Sequence, residues 1–390
     1  MDTAALKASW AQVATLGDQA AAYFYATLFS IDPGLRAMFS ASMGGQRDRL
    51  LTALGHIVSN VEDTDALVAF VQQLGRDHRR FEVQPQHYPV VGQALLHTLA
   101  HGLGPAWNDQ LAADWTEAYG IVSTVMIEAA AAAESFEPAW WNAEIVSHER
   151  RTGDIAAFTV RPQGELRYRA GQSIAVESHL RPKVWRYLTP ANAPRRDGTI
   201  EFHVRAVPGG QLSSALVYQA REGDVLRLAS PIGNRLTVAS APGPDLLLLA
   251  GGTGLAPMKA IIEQLAVGLH DRKVTLVVGA ANRWDLYDMP ALNQLADDLP
   301  WVQVITALSD DPLGGQPVTA VEAALHNGSW HDREIYVCGS PAMVAGTCQV
   351  LRDEGYASGN VHVEQFDDKT YAPLRAALTP DGVFEEVTRP

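Results

Sequence analysis

The feature that most constrains this chain is a change of hydrophobic period near residue 137. Before it, apolar positions recur at three- and four-residue steps, as in Leu67, Val71, Leu74, His78 and Phe81, the spacing of one helix face. After it, short alternating stretches divided by Gly or Pro take over, the pattern of strands with one buried face. A third texture starts near Asp245, where continuous apolar runs alternate with helical stretches, as in a parallel sheet with crossover helices. Three periods in 390 residues predict a multi-domain chain.

The helical part runs from residue 3 to about 134 and predicts six or seven helices and no strand. Breaks fall at Asp32-Pro33-Gly34, Gly44-Gly45, Gln84-Pro85 and Gly102-Leu103-Gly104-Pro105, and Pro85 and Pro105 stand where helices can begin. The last helix is expected over about 106–134. Strands are expected at 141–148, 155–160, 173–177, 199–206 and 224–228, forming a small antiparallel β-barrel. Buried strands follow at 246–250, 273–279, 301–306 and 334–338, giving an α/β parallel-sheet domain. The implied domains are 1–136, 137–242 and 243–366, with 367–390 as a loosely attached tail.

Charge and cysteine content narrow the partners. Lys plus Arg number 30 against 44 Asp plus Glu, a net charge of -14, which repels nucleic acid. Cys338 and Cys348 are too few for a disulfide framework or an ordinary iron–sulfur cluster. The start lacks a basic-then-apolar leader, and no apolar run approaches the ~18 residues of a membrane span. A cytoplasmic chain, monomeric or a small homo-oligomer, is the expectation.

Within the helical part, His78 shares a stripe with Val71, Leu74 and Phe81, whereas Arg76, Asp77, Arg79 and Arg80 are expected to point elsewhere. A neutral imidazole there is either a core residue or an axial ligand of haem iron. Tyr25 lies on the apolar face of Ala21, Phe24 and Leu28, and Gln46 heads the stripe Leu50, Leu54, Ile57. A buried hydroxyl and amide need a polar partner. His87 is the rival ligand, although the first turn after Pro85 suits a capping role. His97 and His101 have metal-pair spacing but share a face with Gln93, which suits a solvated stripe.

These residues resemble the globin half of bacterial flavohaemoglobins. Tyr23-Phe24-Tyr25-Ala26-Thr27-Leu28-Phe29 with Pro33 and Phe39 is similar to that family's B helix and CD corner. Asp77-His78 followed by Pro85-Gln86-His87-Tyr88-Pro89-Val90-Val91-Gly92 is similar to its F and G helices, and Trp115, Ala118, Tyr119 and Gly120 match its H helix. The resemblance implies His78 as proximal iron ligand, Tyr25 and Gln46 as distal hydroxyl and amide, Phe39 and Leu50 as pocket wall, and Tyr88 as proximal-side tyrosine. The glutamate that supports the tyrosine and histidine in the family is Ala130 here.

Farther on, Tyr168-Arg169-Ala170-Gly171-Gln172, Arg186-Tyr187-Leu188-Thr189-Pro190 and Gly209-Gly210-Gln211-Leu212-Ser213-Ser214 are each ordinary turns or caps alone. An arginine fork suits a diphosphate, and a helix start suits a phosphate. In this order they resemble the FAD domain of the ferredoxin–NADP reductase superfamily. The resemblance implies Arg186 on the diphosphate, Tyr187 or Leu188 against the isoalloxazine, Thr189 near flavin N5, and Gly210, Gln211, Leu212 and Ser213 at the phosphate. The family's aromatic place is Leu188 here, so Tyr187 or Trp185 takes over or the ring is stacked more weakly.

Gly251-Gly252-Thr253-Gly254-Leu255-Ala256-Pro257 after a buried strand reads as a pyrophosphate turn opening a helix. It resembles the superfamily's nicotinamide loop, and Cys338-Gly339-Ser340-Pro341 resembles its Cys-Gly-x-Pro segment. Cys338 is a buried strand residue or a neighbour of the nicotinamide; both readings can hold. Phe366 matches an aromatic near the flavin. Arg283 stands alone, which favours NADH, with contact to an NADPH 2′-phosphate still open. The implied activity is electron flow from NAD(P)H through FAD to haem b, with nitric oxide and oxygen converted to nitrate. The alternatives are a reductase serving another acceptor and a non-catalytic oxygen or nitric oxide sensor.

Overall fold

The computed structural model describes residues 1–239, 243–268, 271–310 and 316–365. They form two compact units, one ending at Trp140 and the other starting at Trp141.

The first unit is all-α: α1 (Thr3–Ala14), α2 (Asp18–Ile31), α3 (Gly44–Ser59), α4 (Thr64–His78), α5 (His87–Leu103) and α6 (Asp109–Glu134). Asp2, Asp63 and Asn108 cap α1, α4 and α6 by accepting backbone N–H groups of the first turn. The Asn108 cap starts α6 at Asp109, later than the proline pattern predicts, and Pro105 lies in a 3-10 turn, Gly104–Ala106. Likewise α5 begins at His87, because Pro85 sits in a turn in which the Gln84 carbonyl accepts the His87 N–H. Helices α4 and α6 meet backbone to backbone at Gly75, where a Cβ would stand 2.3 Å from the Met126 carbonyl oxygen. Only glycine fits that approach, and it fixes the last turn of α4, three residues before His78.

One expectation fails here. Asp77 and Arg80 do not point outward: both are buried, with Arg80 Nη1 3.4 Å from Asp77 Oδ1. Asp77 continues the buried face of Phe70 and Leu74, and after His78 the chain tightens into a 3-10 turn, Arg79–Phe81. Each needs the other there, since a lone buried charge is costly.

In the second unit, β1 (Trp141–Arg150), β2 (Ile155–Pro162), β3 (Ile174–Ser178), β4 (Arg181–Leu188), β5 (Ile200–Arg205) and β6 (Val225–Leu228) form an antiparallel sheet in the order β4-β3-β6-β1-β2-β5. A bridge from Pro190 to Phe202 joins the two edges and closes a barrel. Its interior holds Ile145, Phe158, Val176, Ile200, Phe202 and Leu226, and α7 (Gln211–Tyr218) packs Leu212 and Leu216 onto it. Strand β4 has no counterpart among the predicted strands. It is an edge strand carrying Pro182, a residue that edges tolerate and that breaks the alternation used to recognise strands.

The chain continues with β7 (Leu246–Gly251), α8 (Leu255–Val267), β8 (Val274–Ala280), α9 (Met289–Asp298), β9 (Val302–Leu308), α10 (Ala320–Asn327), β10 (Glu334–Gly339), α11 (Pro341–Asp353) and β11 (Val361–Gln365). These strands are parallel, in the order β11-β10-β7-β8-β9. Successive strands run outward from β7 on one side, and β10 returns on the other. The switch point between β7 and β10 is where such sheets bind ligands. Strand β11 is another element absent from the sequence-based prediction. Phe366 and the tail 367–390 lie outside the described residues.

A buried polar network joins barrel to sheet domain. His203 of β5 bonds Glu201 (2.8 Å) and the Tyr287 hydroxyl (2.8 Å), while Lys259 of α8 reaches Glu201 (3.5 Å) and Asp288. Burial pushes the His203 pKa down. Burial alone would raise the Glu201 carboxyl, but His203, Lys259 and Arg195 outweigh it and hold it far below its usual range.

Candidate functional site

In the helical unit, His78 ends α4 with its Nδ1 2.7 Å from the Leu74 carbonyl. A carbonyl only accepts, so Nδ1 carries the proton and Nε2 keeps its lone pair. Burial lowers the His78 pKa, which favours the neutral ring. A neutral, tautomer-locked imidazole is the form that ligates iron. The rival His87 instead accepts the Gln84 N–H at Nδ1 (3.1 Å), the capping role. His97 and His101 are exposed, His101 stacks on Tyr23 at 4.1 Å, and no metal-binding cluster of three His, Cys, Asp or Glu occurs among the described residues.

Tyr25 is buried, edge-on to Phe24 (5.0 Å) and to Phe39 (5.5 Å). Arg36 holds the segment carrying Phe39 by donating to the Phe39 and Ser40 carbonyls, so this wall is set by the 3-10 turn Pro33–Met38. Leu50 joins the same cluster. Burial pushes the Tyr25 phenol up to about 12 despite opposing effects of Gln46 and Arg49, so it stays protonated and able to donate. Tyr88 belongs to a neighbouring cluster with Phe70, Leu74 and Met126. Its phenol is also pushed up to about 12 by burial, and its carbonyl accepts from Tyr119 at 2.7 Å. Ala130 stands one turn beyond Met126 on α6. Glu128 and Glu134 are exposed, so neither replaces the missing carboxylate.

In the barrel, Arg186, Tyr187 and Leu188 end β4, opposite Val176, Ala175 and Ile174 of β3. Leu188 packs on the barrel core, and strand alternation puts Tyr187 and Trp185 on the face opposite Arg186 and Leu188. A shifted aromatic therefore does not occupy the Leu188 place. Thr189 is buried, with its hydroxyl 2.9 Å from that of Ser173, which in turn donates to Glu364 Oε1 at 3.0 Å. Burial, with a smaller contribution from Glu364, drives the Cys338 thiol well above its ordinary pKa, keeping it a neutral thiol. Thr189, Ser173, Glu364 and Cys338 thus form one junction between barrel and sheet domain. Ser173 and Glu364 escaped sequence reasoning: Ser173 lay at an expected strand start, and Glu364 beside the matched Phe366 without a reason of its own.

Gly210 caps the N-terminus of α7. The Leu212 side chain is core, leaving its backbone N–H for a ligand, and the Ser213 hydroxyl accepts from Val207 N–H at 3.4 Å. Gly252-Thr253-Gly254 forms a 3-10 turn leading into α8, with Pro257 in the first turn. Gly254 lies so close to β10 that a Cβ would meet the Cys338 carbonyl at 2.2 Å, while Gly339 approaches Gly251. These two strand ends are thereby brought together at the switch point. Arg205 of β5, also missed, reaches over the turn: its Nη1 is 3.4 Å from where a Gly252 Cβ would stand, and it pairs with Asp154 at 3.1 Å. Arg283 is exposed on the turn Arg283–Asp285, whereas Asp285 shares a small cleft with Gly252 and Gly279.

Comparisons with known proteins follow the same divisions. Residues 22–126 match the globin model, 142–236 the oxidoreductase FAD-binding domain and 248–349 the oxidoreductase NAD-binding domain. The chain is 27% identical over 379 residues to the flavohemoprotein of Bordetella pertussis, spanning 90% of this chain and 94% of that one. From Comamonas sp, the reductase component 1 of terephthalate 1,2-dioxygenase is 33% identical over 234 residues, 58% of this chain and 68% of that one. A flavohemoglobin from Malassezia yamatoensis, solved with FAD and heme, superposes with a TM-score of 0.74 at 19% identity, covering 94% of this chain and 98% of that one. Globin, flavin barrel and nicotinamide sheet in one chain define an oxidoreductase that passes electrons from NAD(P)H through FAD to haem. The chain belongs to the flavohaemoglobin family. Among the described residues no helix is long and apolar enough to cross a membrane.

Proposed function

We propose that this chain is a nitric oxide dioxygenase, using NADH to convert nitric oxide and oxygen to nitrate. The observation that carries the proposal is the buried Tyr25 phenol, kept protonated next to Gln46. A pre-placed donor of that kind stabilises negative charge developing on oxygen. Bound haem supplies oxygen chemistry, and bound FAD divides a two-electron hydride into single electrons. His78 offers Nε2 to iron and is oriented by the Leu74 carbonyl. Phe39 and Leu50 would exclude water from the bound haem, and Tyr88 would stand on the side of His78.

Arg186 and the α7 N-terminus, with Gly210, Gln211, Leu212 and Ser213, hold the FAD phosphates. Thr189 would approach flavin N5, and the Thr189–Ser173–Glu364 chain would lead away the proton that N5 releases as electrons leave for haem. Gly252, Thr253, Gly254 and Pro257 would hold the dinucleotide, with Arg205 over the turn, and Cys338 and Gly339, packed against it, would lie near the nicotinamide. Asp285 in the cleft favours a free ribose hydroxyl, hence NADH; a 2′-phosphate would meet its charge. Dependence on NADH favours the cytoplasm, and the working unit in this reading is a monomer or small homo-oligomer.

Ala130 favours a second reading, a reductase serving another acceptor, because the imidazole lacks carboxylate support. Purified full-length protein given NADH, oxygen and nitric oxide is expected to form one nitrate per nitric oxide consumed. NADH oxidation indifferent to nitric oxide would overturn the dioxygenase and leave the reductase.

A further inference from the structure

Arg49 stands on α3 one turn after Gln46, and its Nη2 donates to Gln46 Oε1 at 3.1 Å. A guanidinium has donors only, so it claims the acceptor end of the amide and fixes its flip. What Gln46 presents on its other side is the Nε2 donor end. Gln46 and Arg49 both favour negative charge on the Tyr25 oxygen, against the larger opposing effect of burial. A phenol that accepts from an amide N–H turns its own proton away from it, toward whatever else lies in the pocket. The neighbouring charges do not compete: Arg47 is paired with Asp18 at 2.5 Å, and Asp48 is exposed.

We propose that Arg49 is a positioning residue that locks the Gln46 amide so that the distal wall offers hydrogen-bond donors alone, selecting anionic ligands over carbon monoxide. The proposal rests on the distal assignment of Tyr25 and Gln46 made above. Were Oε1 to face the pocket instead, an acceptor would repel an anion and reward none of its charge. Lysine, also a pure donor, can replace arginine in this task; methionine, of similar length, cannot.

The test uses the full-length haem-loaded protein. Azide affinity is read from Soret shifts of the ferric form, and carbon monoxide affinity from the ferrous form. Arg49→Met is expected to weaken azide about tenfold, the scale of one charge-assisted hydrogen bond, while carbon monoxide affinity holds. Arg49→Lys is expected to restore most of the loss. Equal changes for both ligands, or no change in azide, would overturn the positioning role. Tyr25→Phe in the same titration separates the two layers. If it weakens azide and Arg49→Met does not, only the Arg49 proposal fails; if Tyr25→Phe changes nothing, the distal assignment fails as well.

Discussion

The buried junction around Thr189 and the buried surroundings of His78 are wired differently. Where barrel meets sheet domain, Thr189, Ser173 and Glu364 make an unbroken chain ending on a carboxylate, with Cys338 beside it. Beside His78, the hydrogen-bond partner of the ring is a main-chain carbonyl, and no described residue partners the Tyr88 hydroxyl. A carbonyl fixes a tautomer as well as a carboxylate does, but it adds no charge to make the imidazole a stronger electron donor. Proton release at the flavin and chemistry at the haem are therefore tuned by separate groups, and the haem step is the one expected to limit turnover.

The largest effect is expected from His78→Ala. Loss of the axial ligand is expected to abolish the Soret band while the yellow flavin spectrum and NADH-driven flavin bleaching survive. A Soret band of normal intensity would remove the ligand assignment and with it the contrast. Next comes Glu364→Gln, which keeps the shape of the junction but ends its proton path. Anaerobic stopped-flow is expected to show an unchanged rate of hydride transfer from NADH, which needs no proton at N5, but flavin reoxidation by haem slowed about a hundredfold, within the range of general acid–base contributions. Reoxidation at the normal rate would make the chain Thr189–Ser173–Glu364 structural only.

The third test rebuilds the missing piece. Ala130→Glu is expected to lower the haem potential and raise nitric oxide turnover about tenfold, the low end of what a hydrogen-bonding partner of a ligating histidine contributes. Tyr88→Phe is expected to matter little in the present chain and to cancel the gain in the Ala130→Glu protein. If it hurts both equally, the tyrosine works without a carboxylate, and the two regions are less different than their hydrogen bonds suggest.

How far the sequence speaks differs from residue to residue for physical reasons. His78 and Tyr25 were legible because a helix repeats its faces every three to four residues, so a polar group on an apolar stripe stands out. Gly252-Thr253-Gly254 was legible because the turn and the strand before it are contiguous. Glu364 and Arg205 were not: each acts across a gap of many residues, Glu364 on Ser173 and Arg205 over Gly252, and no local period encodes such a meeting. Asp77 and Arg80 misled for a related reason. Charge predicts exposure, and only the fold shows that the two neutralise each other inside. Strand β4, which carries Arg186, hid behind its edge position.

The smallest expected effect compares the two buried histidines, His78 and His203, which burial holds toward neutrality in both units. A group whose folded pKa lies below its unfolded value of 6.5 contributes stability that is full above that value and lost as pH falls through the folded one. His203 faces Glu201, Asp288, Lys259 and the Tyr287 hydroxyl, and the two carboxylates work against burial. Glu201 itself stays charged throughout this window, since its own pKa is depressed far below the usual carboxylate range. Acid loss at His203 is therefore expected to be shallow, a Tm decrease of about a few degrees between pH 7 and pH 5 for the flavin-bearing unit. His203→Gln, which retains hydrogen bonding without a charge to gain, is expected to flatten that slope. A slope that persists unchanged in His203→Gln would assign the acid sensitivity elsewhere, with His78 the first residue to examine by the same substitution.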